Sequence, residues 1–225
     1  MIKFENVTKK FPLGNLALDE LSFEIDDEEF VFIVGPSGAG KTTILKLLLR
    51  EYLPTTGSIL VDDFDIASRS FSQVEILRRK IGMIFQDFKI LFDKNVYENV
   101  ALSLKVIGLS DDQIKKEVRN GLNLVDLAKK ENAFPIQLSA GEIQRVAIAR
   151  AIVGDRDIIL ADEPTGNLDP KTTWEIMKIF KKLEGEKTVL FATHNTDVVN
   201  SLQKRVLVLK QGKLIKDQRK GGYEL

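Results

Sequence analysis

The segment from Gly35 to Thr43, GPSGAGKTT, has the residue types and the spacing needed to hold a chain of phosphates. It matches the pattern G-x-x-x-x-G-K-[ST] in full. Glycines let the backbone curl until successive N–H groups point at an anion, and a helix that follows adds its N-terminal dipole. An ordinary glycine-rich turn is the alternative interpretation. The predicted phosphate-binding residues are Gly35, Pro36, Ser37, Gly38, Ala39, Gly40, Lys41, Thr42 and Thr43.

Two side chains of this segment are suited to the chemistry of a nucleoside triphosphate. The Lys41 ammonium can reach the β- and γ-phosphates, and the Thr42 hydroxyl can ligate Mg²⁺. The segment also has the context that the motif requires, because a buried apolar run, FVFIV, precedes it and an amphipathic stretch, ILKLLLR, follows it. The sequence therefore predicts that the chain binds ATP or a similar nucleotide.

A second reactive group ends the apolar segment DIILADEP, residues 157–164. Ligands bind at the carboxyl ends of strands in open α/β sheets, which is where this pattern puts Asp162 and Glu163. Asp162 is suited to hold Mg²⁺ directly or through water, and Glu163 is suited to orient and polarise an attacking water as a general base. Two acidic residues that merely begin a loop are the alternative.

Other nucleotide-dependent classes lack their residues in this chain. No motif suggests the acceptor site that a kinase needs, and the guanine-reading tetrapeptide N-K-x-D is missing, since the nearest match, NLDP, has no lysine.

The 33 basic and 33 acidic residues give no net charge, which disfavours a broad nucleic-acid surface. There is no cysteine, and no apolar run approaches the roughly 20 residues that span a bilayer. We expect a soluble protein in a reducing compartment.

The pattern of apolar residues predicts an α/β fold around these groups. Residues 95–153 show helical spacing, with Ser110 as an N-cap, and Pro170–Leu183 form another amphipathic helix. We expect one domain, with a core of about 1–87 and 156–225 interrupted by a mainly helical insertion at about 88–155. The predicted strands are Ile2–Thr8, Leu21–Ile25, Phe30–Val34, Ser58–Val61, Ile158–Ala161 and Thr188–Ala192.

The order of the motifs along nearly the whole chain resembles that of an ABC-type ATP-binding subunit. The resemblance implies a P-loop, RecA-like nucleotide-binding domain with an antiparallel β subdomain and a helical subdomain insertion. Beyond the phosphate loop, it rests on Phe11 in place of the adenine-stacking aromatic, Gln86 in MIFQDF as the Q-loop, LSAGE from Leu138 to Glu142 as the signature, Asn167, Leu168 and Asp169 as the D-loop, and His194.

The resemblance also implies roles for single residues. His194 is the only histidine in the chain; the six residues LFATHN alone favour a structural histidine, but the family places it at the γ-phosphate and the attacking water. Gln86 is expected to serve both catalysis and the Mg²⁺ site. The commonest signature is LSGGQ, so Ala140 and Glu142 depart from it. Phe11 keeps a stacking face without the usual hydroxyl, and a core residue is the alternative.

The family further implies partners. Two copies would form a homodimer with ATP sandwiched at the interface, where Ser139, Gly141 and Asp169 would meet the nucleotide of the other subunit. An integral membrane subunit would dock beside the Q-loop on an apolar groove, for which the candidates, otherwise buried core, are Phe88, Ile90, Leu91 and Phe92. We therefore expect a peripheral protein on the cytoplasmic face of the cell membrane.

The segment FQDFKIL and the overall similarity favour the branch of the family that acts in cell division and septal cell-wall hydrolysis. An ATPase subunit for lipoprotein release or for macrolide or peptide export is the alternative within the family. Two alternatives from other functional classes remain: a soluble ATPase that acts on nucleic acid or ribosomes, and a nucleotide-dependent scaffold with negligible hydrolysis. The predicted ligands are ATP and Mg²⁺, and no nucleic acid is expected as a partner.

Overall fold

The computed structural model describes residues 1–222, and the chain divides into two compact units. The first unit comprises Met1–Arg78 and the part of the chain from Glu184 onwards; the second is Arg79–Leu183. Both combine helices with strands, so the predicted α/β class is confirmed. The predicted helical insertion at 88–155 falls inside the second unit, and its limits stay a prediction. Within residues 1–222, no helix is both long and apolar enough to cross a bilayer.

An antiparallel sheet in the first unit has the strand order β2-β1-β4-β5, formed by β1 (Ile2–Lys10), β2 (Leu16–Ile25), β4 (Thr56–Val61) and β5 (Phe64–Asp65). β1 pairs with β2, starting at Ile2↔Ile25, and with β4, starting at Ile2↔Val61. Buried and exposed residues alternate at the end of β2, and Phe23 stacks on Phe4 with the ring centroids 4.5 Å apart. One face of this sheet is therefore core.

Parallel strands form the rest of the first unit's core. β3 (Phe30–Val34) pairs in parallel with β8 (Thr188–Thr193) and with β9 (Arg205–Lys210), and every residue of β3 and β8 is buried. Such strands read as unbroken apolar runs because both faces are covered. β10 (Lys213–Gln218) is antiparallel to β9. The helices are α1 (Lys41–Leu48) and α7 (Thr196–Leu202), while α2 (Val74–Lys80) lies across the division.

The second unit pairs two parallel strands and carries four helices. β6 (Ile81–Ile84) pairs with β7 (Ile158–Asp162) in the register Ile84↔Ala161. Side chains cap all four helices by accepting hydrogen bonds from first-turn backbone N–H groups, and Ser110 is one of them, as predicted. The helices are α3 (Val96–Val106), α4 (Asp111–Leu124), α5 (Ala140–Ile152) and α6 (Pro170–Lys182).

Candidate functional site

The phosphate loop runs from the end of β3 into α1, as its sequence predicts. Gly40 caps the helix with φ 109°, and a Cβ there would lie 2.7 Å from Leu18 Cδ2 and 2.8 Å from the Ala17 carbonyl oxygen. A Cβ at Gly35 would lie 2.3 Å from the Leu209 carbonyl oxygen. Neither position has room for a side chain, so glycine is required for the loop to lie this close to its neighbours.

Lys41 is the first residue of α1, and its side chain is folded back over the loop. Its Nζ donates to the Gly35 carbonyl oxygen at 2.8 Å and to that of Pro36 at 3.4 Å, and the residue is buried. Thr42, the next residue, is exposed. The ammonium group is thus held at the centre of a curl of backbone, where a phosphate chain bound by the loop would meet it.

His194 lies at the same edge of the first unit as the phosphate loop. Val34 is paired with Thr193 in the parallel register of β3 and β8, so Gly35 and His194 each follow directly after a paired residue. His194 is exposed, in contrast to the six buried residues of the strand before it. The exposure of His194 does not fit a histidine in the core, and its position after the strand end suits contact with a ligand.

The second unit brings Gln86 and Glu163 together by the same rule. Ile84 of β6 is paired with Ala161 of β7, and each of the two site residues comes two positions later. A Cβ at Gly166 would lie 3.6 Å from Glu163 Cβ and 3.9 Å from Gln86 Nε2. Glu163 has φ 46°, in the left-handed region that a non-glycine residue rarely occupies. The backbone thus leaves the extended conformation of β7 at Glu163, directly after the strand.

Asp162 ends β7 as a buried residue, only 9% exposed. A carboxylate is seldom buried to this extent without a cation or hydrogen bonds that stabilise its charge. The predicted magnesium ligands Thr42, Gln86 and Asp162 offer a hydroxyl, an amide and a carboxylate, and all three present the oxygen donors that Mg²⁺ prefers. Each of the three residues, taken singly, therefore carries a donor atom suited to the metal.

The signature segment forms the start of α5. Ser139 is the N-cap: its Oγ accepts from the Glu142 backbone N–H at 3.3 Å, and Glu142 Oε2 accepts from the Ser139 backbone N–H at 3.0 Å. Gly141 is buried, and a Cβ there would lie 2.3 Å from Thr172 Cγ2 of α6. Ser139 is thus a helix N-cap, and the first turn of the helix offers backbone donors to an anion.

Glu142 is held by a second residue that sequence patterns did not reveal. Lys130, at the end of the short 3₁₀ turn Ala128–Lys130, places its Nζ 2.5 Å from Glu142 Oε1. The hydrogen bond from Lys130, followed by that from the Ser139 backbone, lowers the pKa of the Glu142 carboxyl. The two residues are twelve positions apart and match no helical or strand spacing, so only the fold shows the contact.

Asp169 of the predicted D-loop is the N-cap of α6. Its Oδ1 accepts from the Thr172 backbone N–H at 3.1 Å and its Oδ2 from the Thr172 hydroxyl at 2.5 Å, and these bonds lower the pKa of its carboxyl. Asn167 and Asp169 are exposed. An exposed carboxylate at a helix start is available to a second molecule while it stabilises its own helix.

Phe11 follows β1 and is half-buried. Its ring meets that of Tyr52 edge-on, with the centroids 5.2 Å apart, and Lys9 Nζ lies 5.1 Å from the Phe11 centroid. Lys46 Nζ lies over Tyr52 at 5.3 Å. The predicted adenine-stacking residue thus belongs to a cluster of two aromatic rings and two cations, and the contribution of Tyr52 was not predicted.

The candidate docking segment after the Q-loop is a strained backbone turn held by two side chains. Phe88 and Lys89 have φ 59° and 49°, and their carbonyl oxygens accept from Arg150 at 2.9 and 2.6 Å. Asn99 is fully buried and bonds both the N–H and the carbonyl of Leu91, each at 2.9 Å. Arg150 and Asn99 were not predicted as contributors.

The four predicted groove residues are not equivalent. Leu91 and Phe92 are 40% and 66% exposed, whereas Ile90 is buried and Phe88 is half-buried. Ile90 therefore belongs to the core, which is the alternative interpretation of the sequence. Leu91 and Phe92 remain as the accessible apolar side chains of this segment.

This combination of a phosphate loop, polar strand ends and a signature helix defines a class of nucleotide-binding cassette. The family model for ABC transporter matches residues 18–166. The chain belongs to the ABC transporter family.

Relatives along the full length are more particular. The chain is 48% identical to "Cell division ATP-binding protein FtsE" of Bacillus subtilis, over 99% of this chain and 98% of that protein. It is 45% identical to the protein of the same name from Mycobacterium tuberculosis, over 99% and 98%. The Escherichia coli protein of that name is 44% identical, over 95% and 97%.

Solved structures agree with the fold. A dimeric structure of a bacterial ABC transporter cassette covers 99% of this chain and 100% of its own, with 37% identity and a TM-score of 0.88. A dimeric post-hydrolysis state of the same cassette, bound to ADP and Pi, has 36% identity and a TM-score of 0.87 over the same shares. The fold is that of an ABC ATPase cassette.

Proposed function

We propose that this chain is the ATP-binding and ATP-hydrolysing subunit of an ABC complex that regulates cell division and septal cell-wall hydrolysis through a membrane partner. The observation that carries the proposal is the parallel-strand register, which sets His194 beside the phosphate loop in one unit and Gln86 beside Glu163 in the other. Relatives that align with 99% of this chain and with 98% of their own length are named for cell division, and these names support the cell-division role.

Each site residue has a role that its chemistry supports. Backbone N–H groups of the phosphate loop and the Lys41 ammonium bind the phosphates of ATP. Glu163 accepts the proton of the attacking water, and the His194 imidazole hydrogen-bonds the γ-phosphate and that water. Mg²⁺, held by Thr42, Asp162 and Gln86, would neutralise charge that develops on the phosphates. Phe11 stacks on the adenine, so base selectivity is weak.

The functional unit in this proposal is a homodimer. Ser139 and Gly141 of one copy bind the γ-phosphate that the phosphate loop of the other copy holds, and Asp169 borders the same nucleotide. ATP stabilises the closed dimer because its phosphates bridge two subunits, and hydrolysis removes that bridge. The resulting population shift is limited by the difference in ATP affinity between the open and closed states. The dimeric ABC cassettes of the same fold support this arrangement.

The membrane partner in this proposal resembles FtsX, and the cassette is peripheral on the cytoplasmic face of the membrane. Leu91 and Phe92, beside the Q-loop, supply apolar surface for the partner. Closure of the dimer would move the partner and carry a mechanical signal outward without necessarily moving a substrate.

Depletion of the protein in its host should therefore impair septation. Normal septation with a clear defect in lipoprotein or drug transport would contradict the cell-division role and leave the ABC assignment standing.

Lys41→Ala tests the phosphate loop itself. The change removes charge-assisted bonds to two phosphates, so ATP affinity should fall roughly a hundredfold or more. A fluorescence titration with a labelled ATP analogue measures it. Lys116→Ala, at an exposed position of α4 outside every motif, is the control and should bind as the parent does. Equal affinities for the two variants would show that Lys41 does not contact the nucleotide.

A further inference from the structure

We propose that Lys130 is a positioning residue of the ATP-bound dimer: by neutralising Glu142, it allows the first turn of α5 to accept the γ-phosphate held by a second copy. The inference rests on the proposed function, because it concerns the same contact between the signature of one copy and the ATP of the other. It assigns a role to a residue that lies outside every motif of the chain.

The contacts at this helix start form a closed set. Glu142 Oε1 is bonded by Lys130 Nζ at 2.5 Å, while Glu142 Oε2 accepts from the Ser139 backbone N–H at 3.0 Å and from the Ser139 hydroxyl at 3.2 Å. The Glu142 side chain is 17% exposed and that of Lys130 is 45% exposed. The carboxylate is therefore fixed, and its cation approaches from the solvent side.

Charge is the first reason why the pair matters for phosphate binding. The N-terminal turn of a helix attracts an anion, and in α5 one negative charge, that of Glu142, is already present there. A γ-phosphate brought to Ser139 adds more negative charge close to that carboxylate, and like charges at short range repel each other. The Lys130 ammonium cancels the charge of Glu142, so the helix dipole and the backbone donors again favour the phosphate.

Hydrogen bonding is the second reason. The Ser139 hydroxyl donates to Glu142 Oε2 in the structure, and it must turn away to donate to a phosphate. Glu142 then keeps its bonds to Lys130 and to the Ser139 backbone N–H, so the carboxylate is not left without partners. Without Lys130, releasing the hydroxyl would leave Oε1 and half of the bonding of Oε2 to solvent alone, which makes the release less favourable.

Symmetry enlarges the effect. A two-fold dimer contains the signature contact twice, so any change in its free energy counts twice in the dimerisation constant. Partly exposed ion pairs contribute modestly at each site, which leads us to expect a three- to thirtyfold weaker dimer, roughly, when Lys130 loses its charge. Glu142→Gln should have the opposite effect and strengthen the dimer, because that change leaves an uncompensated cation beside the phosphate.

The experiment is a charge cycle measured on the whole chain. Glu163→Gln is the parent background, since slow hydrolysis lets the ATP-bound dimer accumulate. Sedimentation velocity with Mg²⁺-ATP gives the dimerisation constant for the parent, Lys130→Met, Glu142→Gln and the double variant. Lys129→Met, on the same 3₁₀ turn, removes the same charge from a side chain that forms no ion pair with the described residues, and is the matched control.

We expect Lys130→Met to weaken the dimer, Glu142→Gln to strengthen it, and the double variant to lie near the parent. The loss in Lys130→Met should shrink as salt rises from 50 to about 500 mM, because exposed charges are screened, whereas a purely structural defect would not respond to salt in this way. A thermal melt checks that every variant folds.

Two outcomes overturn the inference. One is that Lys130→Met dimerises as tightly as Lys129→Met. The other is that Lys130→Met weakens the dimer by the same factor in the parent and in the Glu142→Gln variant, since the effect would then not pass through the carboxylate. A parent that fails to dimerise with ATP at all would instead contradict the proposed function, and is thereby distinguished from both.

Discussion

Glu163 illustrates how much a single residue's backbone contributes to a site. It directly follows the buried strand β7 and has φ 46°, a conformation that costs a non-glycine residue about 1 kcal/mol. A glycine would relieve that cost but would bring no carboxylate. Strain of this kind is retained where the direction of a side chain is needed, and here Glu163 and Gln86 follow neighbouring strands, with Gly166 near both.

The role of this carboxylate can be tested by Glu163→Gln. The substitution keeps the size and the hydrogen-bonding ability of the side chain but removes the base, so the rate of hydrolysis should fall by about 10²- to 10⁴-fold. ATP binding should persist. Steady-state phosphate release and a nucleotide titration measure the two effects, and Glu186→Gln, at an exposed loop position, serves as the control. Turnover at the parent rate would show that the base has been misassigned.

At this scale, sequence reasoning finds residues that belong to a contiguous motif. Gly35–Thr43 could be recognised because backbone curvature, helix start and cation must follow one another along the chain. Lys130, Arg150 and Tyr52 could not, because each acts on a partner far away in the sequence and has an ordinary surface residue type. Their contributions depend on packing, which composition and spacing do not encode.

Among the elements, the strands buried on both faces were the most predictable. Phe30–Val34 is predicted without error, and β7 and β8 each extend one residue beyond their predicted ends. β5, β6, β9 and β10 were missed. The loop that joins β9 to β10 is Gln211–Gly212, both with positive φ, and glutamine is not a residue that signals such a turn. The first half of β2 was missed too, where register shifts against β1 break the alternation.

A buried asparagine of α3 holds the candidate docking segment after the Q-loop by hydrogen bonds. Asn99 is fully buried, and its side chain makes four hydrogen bonds with the backbone of residues 91–95. Asn99→Ala should lower the free energy of unfolding by roughly 2–4 kcal/mol, because several buried backbone groups lose their partner. Urea unfolding measures it against Asn120→Ala, an exposed position on α4. A loss no larger than the control's would mean that water replaces these bonds.

For the whole molecule, acid should weaken the fold in a way that can be traced to single carboxylates. The pKa of Glu142 is held below its ordinary value of 4.5, first by Lys130 and then by the Ser139 backbone, and the pKa of Asp169 is lowered by Thr172. A carboxyl with a lowered pKa stabilises the folded chain above its unfolded pKa. That contribution is lost as the pH falls through the folded value.

Glu142→Gln isolates one such contribution. At neutral pH the variant should be less stable than the parent, and the difference should vanish as the pH falls below the ordinary carboxyl range, because a protonated glutamic acid resembles glutamine. Urea unfolding at a series of pH values measures this. A difference that stays constant down to acid pH would mean that packing, and not charge, is what Glu142 contributes.

The α5 helix carries the signature at its first turn and Arg150 near its last, and this gives the second unit the mechanics of a lever. Arg150 lies eleven positions after Ser139, a span of about 16 Å along a helix. A tilt of about 10° around one end of a rod of that length moves the other end by about 3 Å, which is about the length of a hydrogen bond. Arg150 therefore either drags the backbone of Phe88 and Lys89 with it or releases it. In the proposed dimer, a small change of angle at the nucleotide would therefore become a displacement of the segment that we propose as the contact with the membrane partner.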